Sequence, residues 1–175
     1  MLPSTLFGAL ALAITPIIAD GAAIVESLGT LSTSSSELNN TVAEWSGKLL
    51  DALPIVIKSA GLLKDTKDAT EVAEESEVLT ITEAAELAGA MQGLSGNIDD
   101  TLTTLVEAKP KFDKLLMGPV ILINLKLQKK ETDELSAAVI EKVPEALQEI
   151  AKGMVEEVSG LFEKAIDEYE IKLPF

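Results

Sequence analysis

The stretch from Ile24 to Leu49, IVESLGTLSTSSSELNNTVAEWSGKL, decides the fold. Its apolar residues Ile24, Leu28, Leu31, Leu38, Val42, Trp45 and Leu49 recur in alternating steps of four and three, with Ser35 in the one step left open. That period places them along one stripe of a helix, predicted over 21 to 46, whose apolar face must be covered by other elements. Ser46-Gly47 is a stop signal.

Working outward, Leu49 to Leu63 reads as a second helix, with Pro54 early enough to fall in its first turn. From Lys64 to Glu77 the chain turns to Lys, Asp, Thr and Glu with only Val72 and small Ala residues to bury, which predicts a solvated, weakly held end. Thr82, followed by Glu83 and Glu86, reads as the cap of a third helix through Leu87, Met91, Leu94, Ile98, Leu102 and Leu105, ended by Lys109-Pro110. A fourth helix then starts at Pro110. Its segment Leu115 to Leu127 is apolar on nearly every face, which predicts a helix surrounded by others and kinked or broken at Gly118-Pro119. Pro144 opens a last helix whose stripe is Leu147, Ile150, Met154, Val158, Leu161, Ala165, Ile166 and Tyr169. The expectation is an all-α, antiparallel bundle of about five helices, monomeric, with Leu28, Leu31, Leu87, Met91, Leu94, Val120, Ile123, Leu127, Leu147, Ile150 and Met154 facing inward.

Composition agrees with a bundle and narrows the chemistry. The 175 residues contain 47% hydrophobic but only 3% aromatic residues, so the core is Leu, Ile, Val and Ala. All 14 basic residues are Lys, against 29 Asp plus Glu, for a net charge of -15. Such a balance repels phosphate backbones and argues against nucleic acid. With neither His nor Cys, the usual catalytic triads and nearly all zinc sites are excluded. Neighbouring carboxylates such as Glu74-Glu75 and Asp99-Asp100 point to different helix faces, and no calcium loop or phosphate-binding Gly loop is present. The expectation is a binding protein without cofactor or metal, not an enzyme.

Leu2 to Ala19 resembles a secretory signal peptide, with an apolar Leu6 to Ile14 segment and small residues after it. Cleavage after Ala19 leaves a single domain, residues 20 to 175, outside the cell. Asn39-Asn40-Thr41 is a glycosylation sequon, placing a candidate glycan on Asn39. No second run is long enough to span a membrane, and the C-terminal residues Glu168 to Phe175 lack the hydrophobic tail of a lipid-anchor signal.

Ser35 stands out because a hydroxyl on an apolar seam needs a partner once buried: a ligand head group, or the carbonyl one turn earlier. Asn124 is a second polar candidate within the apolar fourth helix. Lys126 either pairs with a carboxylate ligand or snorkels to solvent. Gly89, Gly93 and Gly96 on the third helix suit the close approach of a backbone or bound chain better than a phosphate.

Two turns carry a family resemblance. Thr104 to Phe112 holds Lys109-Pro110 with Phe112, and Leu135 to Ala151 holds Lys142-Val143-Pro144 before the last helix. Over roughly Ile24 to Ile166 the chain resembles the fungal hydrophobic surface-binding protein A and cell-wall galactomannoprotein family. The resemblance implies a secreted or wall-associated helical domain, a mannoprotein or glycoprotein, that encloses a long-chain fatty acid or similar lipid in some members. In others it adsorbs to hydrophobic solid surfaces without a stoichiometric ligand. It transfers no catalytic residue, and this sequence lacks the Ser/Thr-rich stalk of many relatives. On the carrier reading the lipid chain lies along Leu28, Leu31, Ser35, Leu87, Met91, Leu94, Val120, Ile123, Asn124, Lys126 and Leu127. The negative net charge and lack of Arg leave hydroxyl and amide donors, Ser35 first and Asn124 second, to hold a carboxylate head group, with Lys126 at the mouth.

Overall fold

A computed structural model describes residues 20 to 170. The expected signal peptide, residues 1 to 19, and the last five residues lie outside that range. Five long helices follow in order: α1 (Asp20–Ala43), α2 (Leu53–Glu75), α3 (Ile81–Lys114), α4 (Gly118–Lys142) and α5 (Gln148–Tyr169). Single turns of tighter helix, Leu50–Ala52 and Glu145–Leu147, precede α2 and α5.

Consecutive helices are antiparallel, yet the packing order is not the chain order. Helix α1 packs on α2 and α3, α2 on α4, α4 on α5, and α5 back on α3, which closes a ring of five. Apolar residues near the start of α1, α3 and α5 share one core cluster with residues near the end of α2 and α4, and a second cluster gathers the opposite ends. Hence α1, α3 and α5 run one way in one layer, and α2 and α4 run the other way in the facing layer. A ring of five has a wider axis than a four-helix bundle, and small or slender side chains must fill it.

The stripe is buried as expected from Ile24 to Trp45, while its last residue, Leu49, lies beyond α1 and is 61% exposed. Ile24, Leu28, Leu31, Leu38, Val42 and Trp45 are each at most 4% exposed, and Ser35 sits among them at 1%. The tail of α2 departs from expectation. Instead of a weakly held end, the helix runs to Glu75, because Thr66, Ala69 and Ala73 are buried and let the other helices come close to its backbone. Lys142 from the end of α4 then donates to the carbonyls of Glu74 and Ser76 at 2.8 and 2.6 Å, capping that end.

The third helix begins two residues earlier than read. Thr80 is the cap, and it exchanges side-chain and backbone hydrogen bonds with Glu83 in a capping box. These bonds to the Thr80 hydroxyl and backbone hold the Glu83 carboxyl below its ordinary value. A Cβ at Gly21 would stand 2.6 Å from Glu83 Cβ, so only glycine lets α1 start against this cap.

Pro110 neither ends α3 nor starts α4. It faces solvent, where water satisfies the carbonyl bond that its ring removes, while Ala108 and Phe112 on the inner side keep the helix in line. Phe112 is fully buried and stacks on Trp45 with ring centroids 4.4 Å apart. The break falls at Leu115 to Met117. Leu116 adopts φ 57, Met117 N–H reaches Phe112 O at 2.9 Å and Leu116 N–H reaches Asp113 O at 3.0 Å. This is a Schellman turn with leucine where glycine is usual. Gly118 and Pro119 then start α4, so the predicted break is there but the helix before it belongs to α3.

The largest correction concerns α4. Its first half is not surrounded: Val120, Ile123 and Leu127 are 55%, 61% and 43% exposed. The ring packs α4 mainly against α2 and α5, so in this half Ile121, Leu125 and Gln128 are buried toward the axis, with Asn124 half-buried beside them. On α5, Ile150 is also in water while Ala151 is buried in its place, and Leu147 and Met154 are half-buried.

Candidate functional site

Between the two apolar core clusters the ring carries a belt of polar side chains. Thr101 Oγ1 donates to Asn97 O at 2.7 Å, which leaves Ser35 Oγ as donor to Thr101 Oγ1 at 2.9 Å. Asn97 in turn reaches the Ser32 hydroxyl across the same α1–α3 seam. On the facing layer Ser59 Oγ donates to Asn124 Oδ1 at 2.7 Å, and Gln128 Nε2 donates to Ser59 O at 3.0 Å. Glu131, buried one turn further along α4, meets the outer ammonium groups of Lys67 at 3.6 Å and Lys130 at 3.4 Å. Lys129, beside it, ties α4 to Ser159 of α5. Its hydrogen bond to Asp133 pushes its ammonium above the ordinary lysine value, aided by the charges of Asp133 and Glu163.

Three cavities follow the axis through this belt. The one farthest from Val120, about 40 Å³, is lined by Leu28, Met91, Leu94, Ile98, Leu135, Val139 and Val158. The next, about 30 Å³, shares Ile98 with it and is lined by Ser35, Leu62, Thr101, Asn124, Gln128 and Phe162. The third, about 160 Å³, shares Leu38, Leu105 and Asn124 with the second and opens between α2 and α4, past Val56, Ser59, Met117 and Val120. Asn124 thus stands at the neck between mouth and interior. Its Oδ1 is spent on Ser59, while its amide hydrogens make no hydrogen bond among the described residues. From Val120 to Val139 the cavities span about 28 Å of helix at 1.5 Å per residue. Their volumes fall below the roughly 300–1,000 Å³ of a filled small-molecule site, so a long chain must displace half-buried side chains such as Ile98, Leu94 and Met91.

The residues singled out from sequence divide accordingly. Leu28, Met91, Leu94, Ser35, Asn124 and Val120 line the axial cavities or their mouth. Leu31 and Leu87 are buried beside them as core. Ile123 and Leu127 lie on the outer face of α4, and Lys126 points away from the axis to pair with Glu170 at 2.8 Å. Ser35 neither bonds back along α1 nor offers a spare donor, because Thr101 takes it. Asn39 lies within α1 rather than on a loop, with Oδ1 buried and lacking a partner. Ser59 and Gln128 escaped the sequence reading although they carry the signal that marked Ser35, a polar residue on an apolar face.

A wider groove of about 560 Å³ runs outside, between α3 and α5, and Met91, Ser95 and Val158 separate it from the 40 Å³ cavity. Gly89 and Gly96 line it, and a Cβ at either would meet nothing within 4 Å. The glycines therefore widen a groove rather than admit a neighbouring backbone. Among the described residues no helix is long and apolar enough to cross a membrane, and no group of acidic residues could hold a metal ion.

Comparison with known proteins adds three findings. The family model described as hydrophobic surface binding protein A matches residues 21 to 141. Cell wall mannoprotein 1 of Aspergillus flavus is 24% identical over 89% of this chain and 57% of its own length. Its namesake from Aspergillus fumigatus is 26% identical over 91% and 56%. The chain therefore spans little more than half the length of these relatives. Among solved structures, AFMP4P in complex with palmitic acid superposes with a TM-score of 0.83 at 25% identity, over 86% of this chain and 99% of that one. Ligand binding domain 1 of the Penicillium marneffei MP1 protein, complexed with arachidonic acids, gives 0.83 at 26% identity, over 87% and 99%.

Proposed function

Because the chain belongs to the hydrophobic surface binding protein A family, we propose that it is a secreted, non-enzymatic carrier that takes a long-chain fatty acid or similar lipid into its axis. The observation that carries this reading is the line of apolar cavities that passes from Val139 and Leu28 to a mouth between α2 and α4, with uncommitted amide hydrogens at its neck. Similar folds crystallised with palmitic and arachidonic acids support the ligand class. Cell wall mannoproteins among the relatives support a place outside the cell or in its wall.

The energetics follow from the lining. Each methylene moved from water into this axis contributes about 0.8 kcal/mol, against the cost of moving the side chains that fill it. The carboxylate finds no cation inside, since Lys126 and Lys129 are engaged at the surface and with α5. Asn124 Nδ2 is the donor that faces it, and the Ser59 hydroxyl fixes the amide so that Nδ2 points away from α2. No catalytic step is assigned to any side chain.

The deciding experiment is a titration of delipidated protein with oleate below its micelle concentration, alongside Ile98→Trp, which fills the junction of the two inner cavities. One-to-one saturable binding that Ile98→Trp weakens by tenfold or more is the expected result. Binding that never saturates and ignores Ile98→Trp would replace the internal site with adsorption on the outer surface.

A further inference from the structure

The outer face of the α2–α4 layer is apolar where both helices begin. Leu50, Leu53 and Ile57 at the start of α2 are 88%, 61% and 60% exposed, and Leu116, Val120 and Ile123 across the mouth are 86%, 55% and 61% exposed. Val56 and Val120 belong both to this surface and to the cavity mouth, so the patch and the entrance are continuous. A patch of this kind, rimmed by polar residues, marks an interaction surface rather than ordinary scatter.

Charge tells what covers it. Residues 45 to 63 and 114 to 130, which form the α2–α4 side of this end, carry six Lys and one Asp; the neighbouring ends of α1, α3 and α5 bring Glu44, Asp113, Asp167, Glu168 and Glu170, and all of the chain outside the two segments carries eight Lys and 28 Asp plus Glu. The one Asp, Asp51, is held by the Ser46 hydroxyl at 2.7 Å. Lys58, paired with Glu37 of α1, and Lys126, paired with Glu170 beyond α5, flank the patch. Lys48 and Lys114 close its end, both exposed and, among the described residues, in no ion pair. The remainder of the molecule would be repelled by an anionic surface, so these lysines orient it with the mouth forward.

We propose that this end of the bundle docks on an anionic lipid bilayer, apolar side chains entering the headgroup boundary and Lys48 and Lys114 meeting lipid phosphates, so that a lipid chain enters or leaves between α2 and α4 without crossing water. The exchange step rests on the carrier reading; the docking does not. The exposed Leu50, in the helical turn before α2, and Leu116, in the turn before α4, frame the entrance, and their insertion places acyl chains at Val56 and Val120.

The test is sedimentation of the purified chain with vesicles of phosphatidylcholine alone and with about one third phosphatidylglycerol, at low and raised salt. Binding about tenfold stronger to the anionic vesicles, falling with salt, is expected from two unpaired lysines at the surface. Lys48→Glu with Lys114→Glu should reduce it to the phosphatidylcholine level. Leu50→Glu with Ile57→Glu, residues that line none of the three axial cavities, should abolish it on both vesicles, while oleate titration without vesicles stays as in the parent. Equal binding to both vesicles, or binding indifferent to these substitutions, overturns the proposal. So does a concentration-dependent dimer that Leu50→Glu dissolves in the absence of any vesicle binding, which would make the patch a contact between copies. Vesicle binding without oleate uptake would leave docking standing and remove the carrier reading alone.

Discussion

Ser59 and Asn124 face each other across the mouth of the bundle, the Ser59 hydroxyl donating to Asn124 Oδ1 at 2.7 Å. The bond joins two parallel helices at the point where the cavity narrows, and it also settles an orientation. An amide whose oxygen is taken by a hydroxyl presents its nitrogen on the other side, so this neutral hydrogen bond turns Asn124 Nδ2 away from Ser59. The Gln128 amide, bonded to the Ser59 carbonyl one helical turn deeper, holds the same serine from behind.

Asn124→Leu keeps the volume but removes the donor and leaves the Ser59 hydroxyl unpaired. Hydrogen bonds to charged groups contribute about 1.5–3 kcal/mol, so oleate affinity should fall roughly ten- to a hundredfold. Asn124→Asp should cost more, because it sets a carboxylate against a carboxylate, and the alcohol analogue of the same chain should restore most of the difference. Calorimetric titration of the three proteins with oleate and oleyl alcohol decides it. An oleate affinity unchanged in Asn124→Leu would place the head group elsewhere.

Ser35→Ala should behave in the opposite way. The Ser35 hydroxyl is spent on Thr101, and Thr101 keeps its own bond to Asn97 O when the serine is lost. The expected result is a loss of about 1 kcal/mol in folding stability, read from a denaturant midpoint, with oleate affinity within about twofold of the parent. A large drop in affinity with stability intact would return Ser35 to the ligand.

The contrast between these two residues shows what the sequence made legible. The helix count and the α1 stripe follow from periodicity, because a single apolar stripe can be buried in only one way. Periodicity says nothing of where an all-round apolar helix turns its surplus, so Ile123 and Leu127 read as core although they stand in water. It likewise marks Ser35 as buried without showing that Thr101, 66 residues away, consumes its hydroxyl. Pro110 misled for a related reason: its missing N–H ends a helix only when nothing else holds the next turn, and Phe112 against Trp45 holds it. The tail of α2 is not legible from hydropathy because alanine counts as weakly apolar, whereas Ala69 and Ala73 are buried there and let helices approach.

That last point can be measured. Ala73 is completely buried, at the end of α2 predicted from composition to be solvated. Ala73→Leu should cost about 1–3 kcal/mol by overpacking against the cluster of Ile24, Leu28 and Val139. Amide exchange across residues 64 to 75 in the parent should be as protected as in the first half of α2. Rapid exchange there, with Ala73→Leu neutral, would support the frayed end expected from sequence.

Tyr169, the only tyrosine, gives the fold a defined response to alkali. Its hydroxyl donates to Leu105 O at 2.6 Å inside the second core cluster. Burial raises its pKa well above the ordinary value, and the charge of Asp113 adds to the shift. In the unfolded chain the phenol ionises at about 10, while in the folded chain it keeps its proton. The unfolded state then binds fewer protons than the native state, so stability falls as pH rises past about 10. The contribution is present in full below that pH and is lost progressively toward the folded value. Tyr169→Phe should be about 1 kcal/mol less stable than the parent near neutral pH, where it lacks only the hydrogen bond. It should close that gap, or become the more stable protein, at pH about 11, since both proteins share every lysine that titrates there. Denaturant midpoints of the two proteins at both pH values test this. The tyrosinate absorbance of the parent, which reports a single residue, should appear together with unfolding rather than before it. A phenol that ionises near 10 with the helices intact would show that Tyr169 is open to water.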